Sequence, residues 1–406
     1  MKQVLLIIGL CLATTVAFAQ KAAVSGAEKI AKDQRGNLNE ARDLIKGAMS
    51  HPDTKDDPKT WFVAGQIEDA QLNRESAKQV LGQSANELLM YQSIKDAFPL
   101  FLKAYELDQR PDAKGKIAPK YTKNIKGILS ANLTHYWNGG VYYFESGDYQ
   151  KAYDLFQQYL EITNQPFFAG EKTAAKDENY QTIQFFSAVA AMQLENPELE
   201  IKTLNKAKEF PYRQYDVYTY LVYAYDKQKD SVNIEKTLGE GMRLFPDSSY
   251  FLLNLINLYI FSDRNDKAME MLTTAIANDS ENPQLYQALG SVYESGYNDS
   301  KKAEENYMKA LQYNQENPEA LSNLGRIYFN DGIGIVNDAN QLADIQLYNS
   351  EKEKAAELFR KALPYFEKAH QIDSDRSDYM IALRGIYYQL GMDDKFNEME
   401  AKMTNR

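Results

Sequence analysis

The chain has 406 residues, 44% of them hydrophobic and 25% charged, a balance that excludes wholesale disorder, a collagen-like rod and a polytopic membrane protein. A single core seldom grows beyond about 250–300 residues, so several domains or a repeat array must account for the length. The net charge of −11 has the wrong sign for neutralising phosphates, which excludes non-specific nucleic-acid binding and argues against an anionic membrane surface.

Residues 1–19 read as a cleavable export signal: Lys2, an apolar stretch from Val4 to Val16, and Ala17-Phe18-Ala19 as the small-x-small site, leaving Gln20 as the mature N-terminus. The apolar stretch is shorter than the ~20 residues a membrane span needs. The only cysteine, Cys11, lies inside it and follows the large Leu10, which disfavours lipidation. The mature chain then has no thiol, hence no disulfide and no cysteine-based metal or nucleophile site, and no later stretch is apolar enough to span a bilayer. These features place the protein outside the cytoplasm, in the periplasm or at the outer membrane of a Gram-negative bacterium.

The rest of the chain repeats itself. Residues 20–57 form a degenerate first unit through Ala41, Ile45 and Ala48; 58–111 carry Trp61, Ala64-Gly65, Ala97, Phe101 and Ala104. Within 112–180, a lysine-rich linker leads, after Pro119, into an early-starting helix and a unit at 133–166 with Tyr136, Gly139-Gly140, Tyr143, Ala152, Phe156 and Tyr159. Regular units occupy 181–214, 215–248, 249–282 and 283–317, the last with one extra residue in its turn. A unit at 318–376 and a C-terminal cap at 377–406 complete the array, making about nine units in all. In each first half the marked residues fall at i, i+3, i+4 and i+7, and in each second half at i, i+4 and i+7, so each unit predicts two amphipathic helices. Small residues such as Gly140, Gly290, Ala152 and Ala268 let the backbones approach, and Pro246, Pro283 and Pro318 mark unit boundaries.

Two units depart from this spacing. Glu68 and Ala97 stand 29 residues apart and Tyr328 and Ala362 stand 34 apart, where regular units show 9, so insertions of 20 and 25 residues separate their helices. Both place a proline two residues after the alanine, Pro99 and Pro364, which predicts an added helix, 75–98 or 350–363, kinking into or abutting the repeat helix. The Gly- and Asn-containing stretch 330–349 reads as an ordered or semi-ordered loop, with neither a phosphate cradle nor calcium-loop spacing.

The pattern of an aromatic residue, Leu-Gly, Tyr, then Ala, aromatic and Pro over 34 residues resembles the tetratricopeptide repeat family. The resemblance implies an all-α, right-handed helical-repeat solenoid whose concave face, set by the first helices, binds a protein or peptide. The residues just after the packing positions would line that face: Phe62 and Gln66 with Asp69; Trp137, Val141 and Phe144; Thr219, Tyr223 and Asp226; Leu253 and Asn257 with Ile260; Gln287; Ser322 and Arg326. The carboxylate clamp by which some family members grip a C-terminus survives only in fragments, Lys59 with Gln66 and Asn323 with Arg326.

No catalytic signature is present: His51, His135 and His370 lie in different units, and there is no His-Glu-x-x-His, Gly-x-Ser-x-Gly, Walker or dinucleotide motif. The reading is therefore a non-enzymatic scaffold or adaptor of the cell envelope, with no cofactor or metal. The alternative is a carbohydrate-capturing surface or periplasmic protein of helical-repeat type. Such proteins normally carry a lipidated cysteine at the mature N-terminus and larger non-repeat insertions, and this chain has neither.

Overall fold

A computed structural model describes residues 19–168 and 177–404; the export segment up to Phe18 lies outside them. Contact density divides the chain into two compact units, the first ending at Lys229 and the second beginning at Asp230. The first unit holds α1 (19–32), α2 (Leu38–Ser50), α3 (Pro58–Val80), α4 (Glu87–Asp108), α5 (Thr122–Glu145), α6 (Tyr149–Thr163), α7 (Glu178–Met192), α8 (Pro197–Ala207) and α9 (Gln214–Lys227). The second holds α10 (Ser231–Leu244), α11 (Ser249–Phe261), α12 (Asn265–Asn278), α13 (Pro283–Ser291), α14 (Ser300–Tyr313), α15 (Pro318–Ala339), α16 (Ile345–Ile372), α17 (Ser377–Gln389) and α18 (Asp393–Thr404). No strand occurs among the described residues. Within each unit successive helices pack on one another, the arrangement of a helical-repeat solenoid.

Local chemistry sets the ends of these helices. Asp57, Asn196, Asn282 and Asn317 cap the helices that follow through side-chain oxygens that accept backbone N–H bonds, each with proline at the first helical position. The turns between paired helices carry left-handed residues: Gly147, Glu195, Asp263, Asn298 and Gly391. In four of them the next N–H reaches back to close the helix end, as Asp148 N does to Tyr143 O at 2.9 Å and Arg264 N to Tyr259 O at 2.8 Å.

The pairs close on a recurring contact. A Cβ added to Gly65, Gly140, Gly290 or Gly325 would sit 2.6, 2.3, 2.5 or 2.9 Å from the ring of Phe101, Phe156, Tyr307 or Phe366 in the partner helix. The missing side chain is the space the aromatic ring occupies, which is why a small residue and an aromatic recur together in the sequence.

The insertions take a different form from the added helix that their prolines predict. Both helices of each inserted pair are longer: α3 and α4 run unbroken to a tip at 81–86, α15 and α16 to a tip at 340–344, and Pro99 and Pro364 lie on the exposed faces of continuous helices. Most of the expected 330–349 loop is therefore helix. Gly332, Val336 and Ala339 are buried at i, i+4 and i+7 of α15, with Gly332 against the Phe359 ring. The glycine that suggested a loop is a packing contact. At the first tip the buried Glu75 carboxylate accepts from Asn86 N at 2.8 Å and from Lys78 Nζ at 2.8 Å; burial works to raise its pKa, but these partners hold it below the usual value.

The lysine-rich linker is latched by one side chain. Asp108 accepts bonds from the backbone N–H groups of Lys120, Tyr121 and Thr122 at 2.8–2.9 Å and from Thr122 Oγ1 at 2.9 Å. Burial opposes its charge, yet the four donors keep its pKa lowered. As the sequence suggests, α5 starts early, at Thr122.

Candidate binding surfaces

The first helix of each pair presents two neighbouring stripes. In α9, Tyr218, Leu221, Val222 and Tyr225 are buried, while one residue further on Thr219 is half-buried and Tyr223 and Asp226 are exposed. Tyr223 leaves 58% of its surface free, with Lys227 Nζ 4.5 Å from its ring centroid; Lys227 in turn pairs with Glu200 at 3.2 Å. That places an aromatic ring with an adjacent cation on open surface, a pairing suited to a partner's apolar or acidic groups.

Elsewhere in the first unit the same stripe is partly covered. Trp137 is half-buried, its ring 5.7 Å from both Phe156 and Phe186, at the edge of a cleft of about 160 Å³ lined by Leu133, Tyr159 and Ile183 among others. Val141 and Phe144 are half-buried, Phe144 lying edge-on to Tyr149 at 5.3 Å. Phe62 is only 4% exposed and packs on Phe101 and Tyr121, so its ring belongs to the core rather than to a surface.

Gln66 and Asp69 lead to a polar groove of about 490 Å³ between α1 and α3, which Lys32, Gln34, Asn73 and Arg74 also line. Asp69 accepts from Asn132 Nδ2 at 2.6 Å and Asn73 Nδ2 at 3.1 Å. Burial raises its pKa against these bonds and against the charge of nearby His135. Burial lowers the His135 pKa, with Asp69 pulling the other way. Gln66 Oε1 is buried without a hydrogen-bond partner. The groove offers donors and acceptors at i, i+3 and i+7 of one helix, a pattern present in the sequence as Gln66, Asp69 and Asn73, whereas no spacing rule brings Asn132 and His135 to Asp69.

In the second unit Leu253 and Gln287 are half-buried and Asn257 is exposed. Arg326 is tied down: its Nη2 lies 3.0 Å from Glu294 and 2.9 Å from Asn323, while Tyr307 donates to the same Glu294 carboxylate at 2.8 Å. Burial pushes the Tyr307 hydroxyl well above its usual pKa. Half-buried Ser322 bonds its own helix at Glu319 O. Among the described residues no group of three or more His, Cys, Asp or Glu is placed to hold a metal ion, and no helix is long and apolar enough to cross a membrane.

Residues 283–317, which form α13, a π-helical turn at Val292–Gly296 and α14, match the tetratricopeptide repeat family. The ring-over-glycine contact of this segment, Tyr307 on Gly290, is the one seen in three other pairs, at Gly65, Gly140 and Gly325. This segment is a tetratricopeptide repeat. The extra residue of this repeat is absorbed in the π turn. No curated protein matches the sequence. Among solved structures, a TPR repeats protein from Bacteroides fragilis is 21% identical, with 63% of this chain and 98% of that one covered and a TM-score of 0.29. MamA from Desulfovibrio magneticus is 15% identical over 45% of this chain and 96% of its own, with a TM-score of 0.31. YrrB, described as a TPR protein with an unusual peptide-binding site, is 13% identical over 50% of this chain and 96% of its own, with a TM-score of 0.35.

Proposed function

We propose that this repeat protein is a non-catalytic scaffold of the cell envelope that holds a protein or peptide partner along the outer stripe of its first helices. The observation that carries the reading is the offset in α9: signature residues are buried, and the residues one position later, Tyr223 and Asp226, stand free. Within the second unit, taken by itself, the same position is exposed as Asn257 on α11 and Arg326 on α15, so each unit offers anchors on rigid helices. The envelope location rests on the export signal at the start of the chain and on the absence of any thiol beyond Cys11.

Two measurements test this. Sequencing of the mature protein should give Gln20 first and fractionation should find it outside the cytoplasm; cytoplasmic protein with Met1 intact refutes the location. A photo-crosslinking residue at Asn257 or in place of Tyr223 should capture one envelope protein that the same residue at Lys202 does not. Equal capture from all three positions refutes the surface.

A further inference from the structure

One repeat in the second unit exposes residues that most of its counterparts bury, Trp61 being the other half-buried one. Leu252 occupies the signature position at which Tyr136, Tyr286 and Leu321 are 0%, 8% and 3% exposed; Ala275 occupies the one at which Ala104, Ala207, Ala310 and Ala369 are 0–3% exposed. Both Leu252 and Ala275 are only half-buried, and both line an open groove of about 810 Å³ that α10, α11 and α12 enclose. Met242, Pro246, Met271 and Leu285 add to its apolar lining. A volume of this size lies in the range of about 300–1,000 Å³ typical of binding sites. The repeat pattern supplies the apolar residues but not the surface that would cover them.

The rim has a sign. Asp247, Glu270 and Asp279 border the groove against the single cation Lys267, whose Nζ lies 5.4 Å from the Tyr259 ring. Neither Asp247 nor Glu270 makes an ion pair among the described residues. The walls are helices, whose interior backbone groups are already bonded, so an extended peptide finds no edge to pair with. A helix brings its own backbone bonds and inserts side chains at i, i+3, i+4 and i+7.

We propose that this groove takes an amphipathic helix of a partner protein, with aliphatic residues facing Met242, Leu252 and Met271, and Lys or Arg along its flanks facing Asp247 and Glu270. The site is separate from the stripe on the first helices and does not depend on it. A second copy of the chain, at a net charge of −11, would bring predominantly acidic surface to an acidic rim.

The test uses the full mature chain and two fluorescein-labelled helical peptides with the same leucine spacing, one flanked by lysine and the other by glutamate. Anisotropy should show the lysine peptide binding at least ~10-fold more tightly at low salt, with the gap narrowing as salt screens the rim. Exchange of the exposed rim carboxylates, Asp247→Lys with Glu270→Lys, should reverse the preference. Because the mature chain has no cysteine, Thr274→Cys takes a single environment-sensitive dye, which should shift to the blue on binding while the same dye at Lys236→Cys stays silent. The proposal is overturned if the lysine peptide fails to bind, if the charge exchange leaves the preference unchanged, or if the Thr274 dye does not respond. Sedimentation showing a dimer that the same exchange disperses would assign the groove to a second copy instead.

Discussion

Two glycines on α10, two residues apart, should respond to the same substitution with opposite signs. A Cβ at Gly239 meets nothing within 4 Å, whereas one at Gly241 would lie 2.4 Å from Cδ1 of Phe251, a fully buried ring stacked on Phe245 at 5.6 Å. Both positions are interior to the helix, so alanine gains about 0.8–1 kcal/mol of helix propensity at each. At Gly239 that gain stands alone. At Gly241 it is set against overpacking of about 1–3 kcal/mol, near the upper end because the enclosed ring has no free volume to enter. Gly239→Ala should therefore raise the thermal midpoint of the second unit by about 2–4 °C and Gly241→Ala should lower it by about 3–6 °C, at about 2–4 °C per kcal/mol. Calorimetry of the full chain reads both shifts. Pairing Gly241→Ala with Phe251→Leu should recover at least ~1 kcal/mol relative to the sum of the single changes. Midpoints that move in the same direction for the two alanines would refute the packing argument.

Trp137→Ala should cost about 2 kcal/mol, because its ring fills space between Phe156 and Phe186, while Tyr223→Ala should stay within about 0.5 kcal/mol of the parent in urea melts and yet weaken partner capture ~10-fold. Asp108→Ala removes the four bonds that latch the linker, so trypsin should cut at Lys114, Lys116 or Lys120 many times faster, visible on gels, with helical content unchanged. Burial holds His135 below the usual imidazole pKa, so as pH falls through about 6.5 the unfolded chain takes a proton that the folded chain refuses, and stability drops. The raised Asp69 carboxyl acts the other way, taking up its proton sooner in the folded chain, so the comparison with the His135 variant decides which group dominates. Urea midpoints between pH 7.5 and 5.5 should fall for the parent and flatten for His135→Gln; parallel curves would show that His135 is not the group responsible.

The helix pairs were legible because their rule is written in residue types: a glycine and an aromatic at fixed offsets, as in Gly140 with Phe156, can only mean that one backbone passes under a ring. The lengthened hairpin of α15 and α16 was not legible. Gly332, Asn337 and Asn340 have the composition of a loop, and what makes the segment helical is Phe359 in another helix. Tertiary packing there outweighs local propensity. The stripe on the first helices was legible as a direction, since i, i+4, i+7 fixes which way Phe62 or Trp137 leaves its helix. Whether something already covers the ring depends on Phe101, Tyr121, Phe156 and Phe186, residues whose approach no spacing rule announces.

The groove between α10 and α12 lay outside sequence reasoning for a related reason: Leu252 and Ala275 obey the repeat pattern, so nothing marks them as uncovered. The structure offers a physical account in the neighbouring repeat. Its extra residue forms the π turn at Val292–Gly296, where Asn265 Nδ2 donates to Gly296 O at 3.2 Å and Tyr297 donates to Asp266 at 2.8 Å. Those bonds hold the first turn of α12 to the turn, alongside the ion pair of its N-cap Arg264 with Glu235 of α10 at 2.6 Å. Thr274, Ala275 and Asn278, in the last turns of the same helix, are the residues that open onto the groove. A helix is stiff over this length, so where its start is anchored fixes how closely its end can approach α10. One inserted residue thus bears on a surface some twenty positions away, and a departure from the repeat becomes a place where a partner helix can take the position that the array leaves vacant.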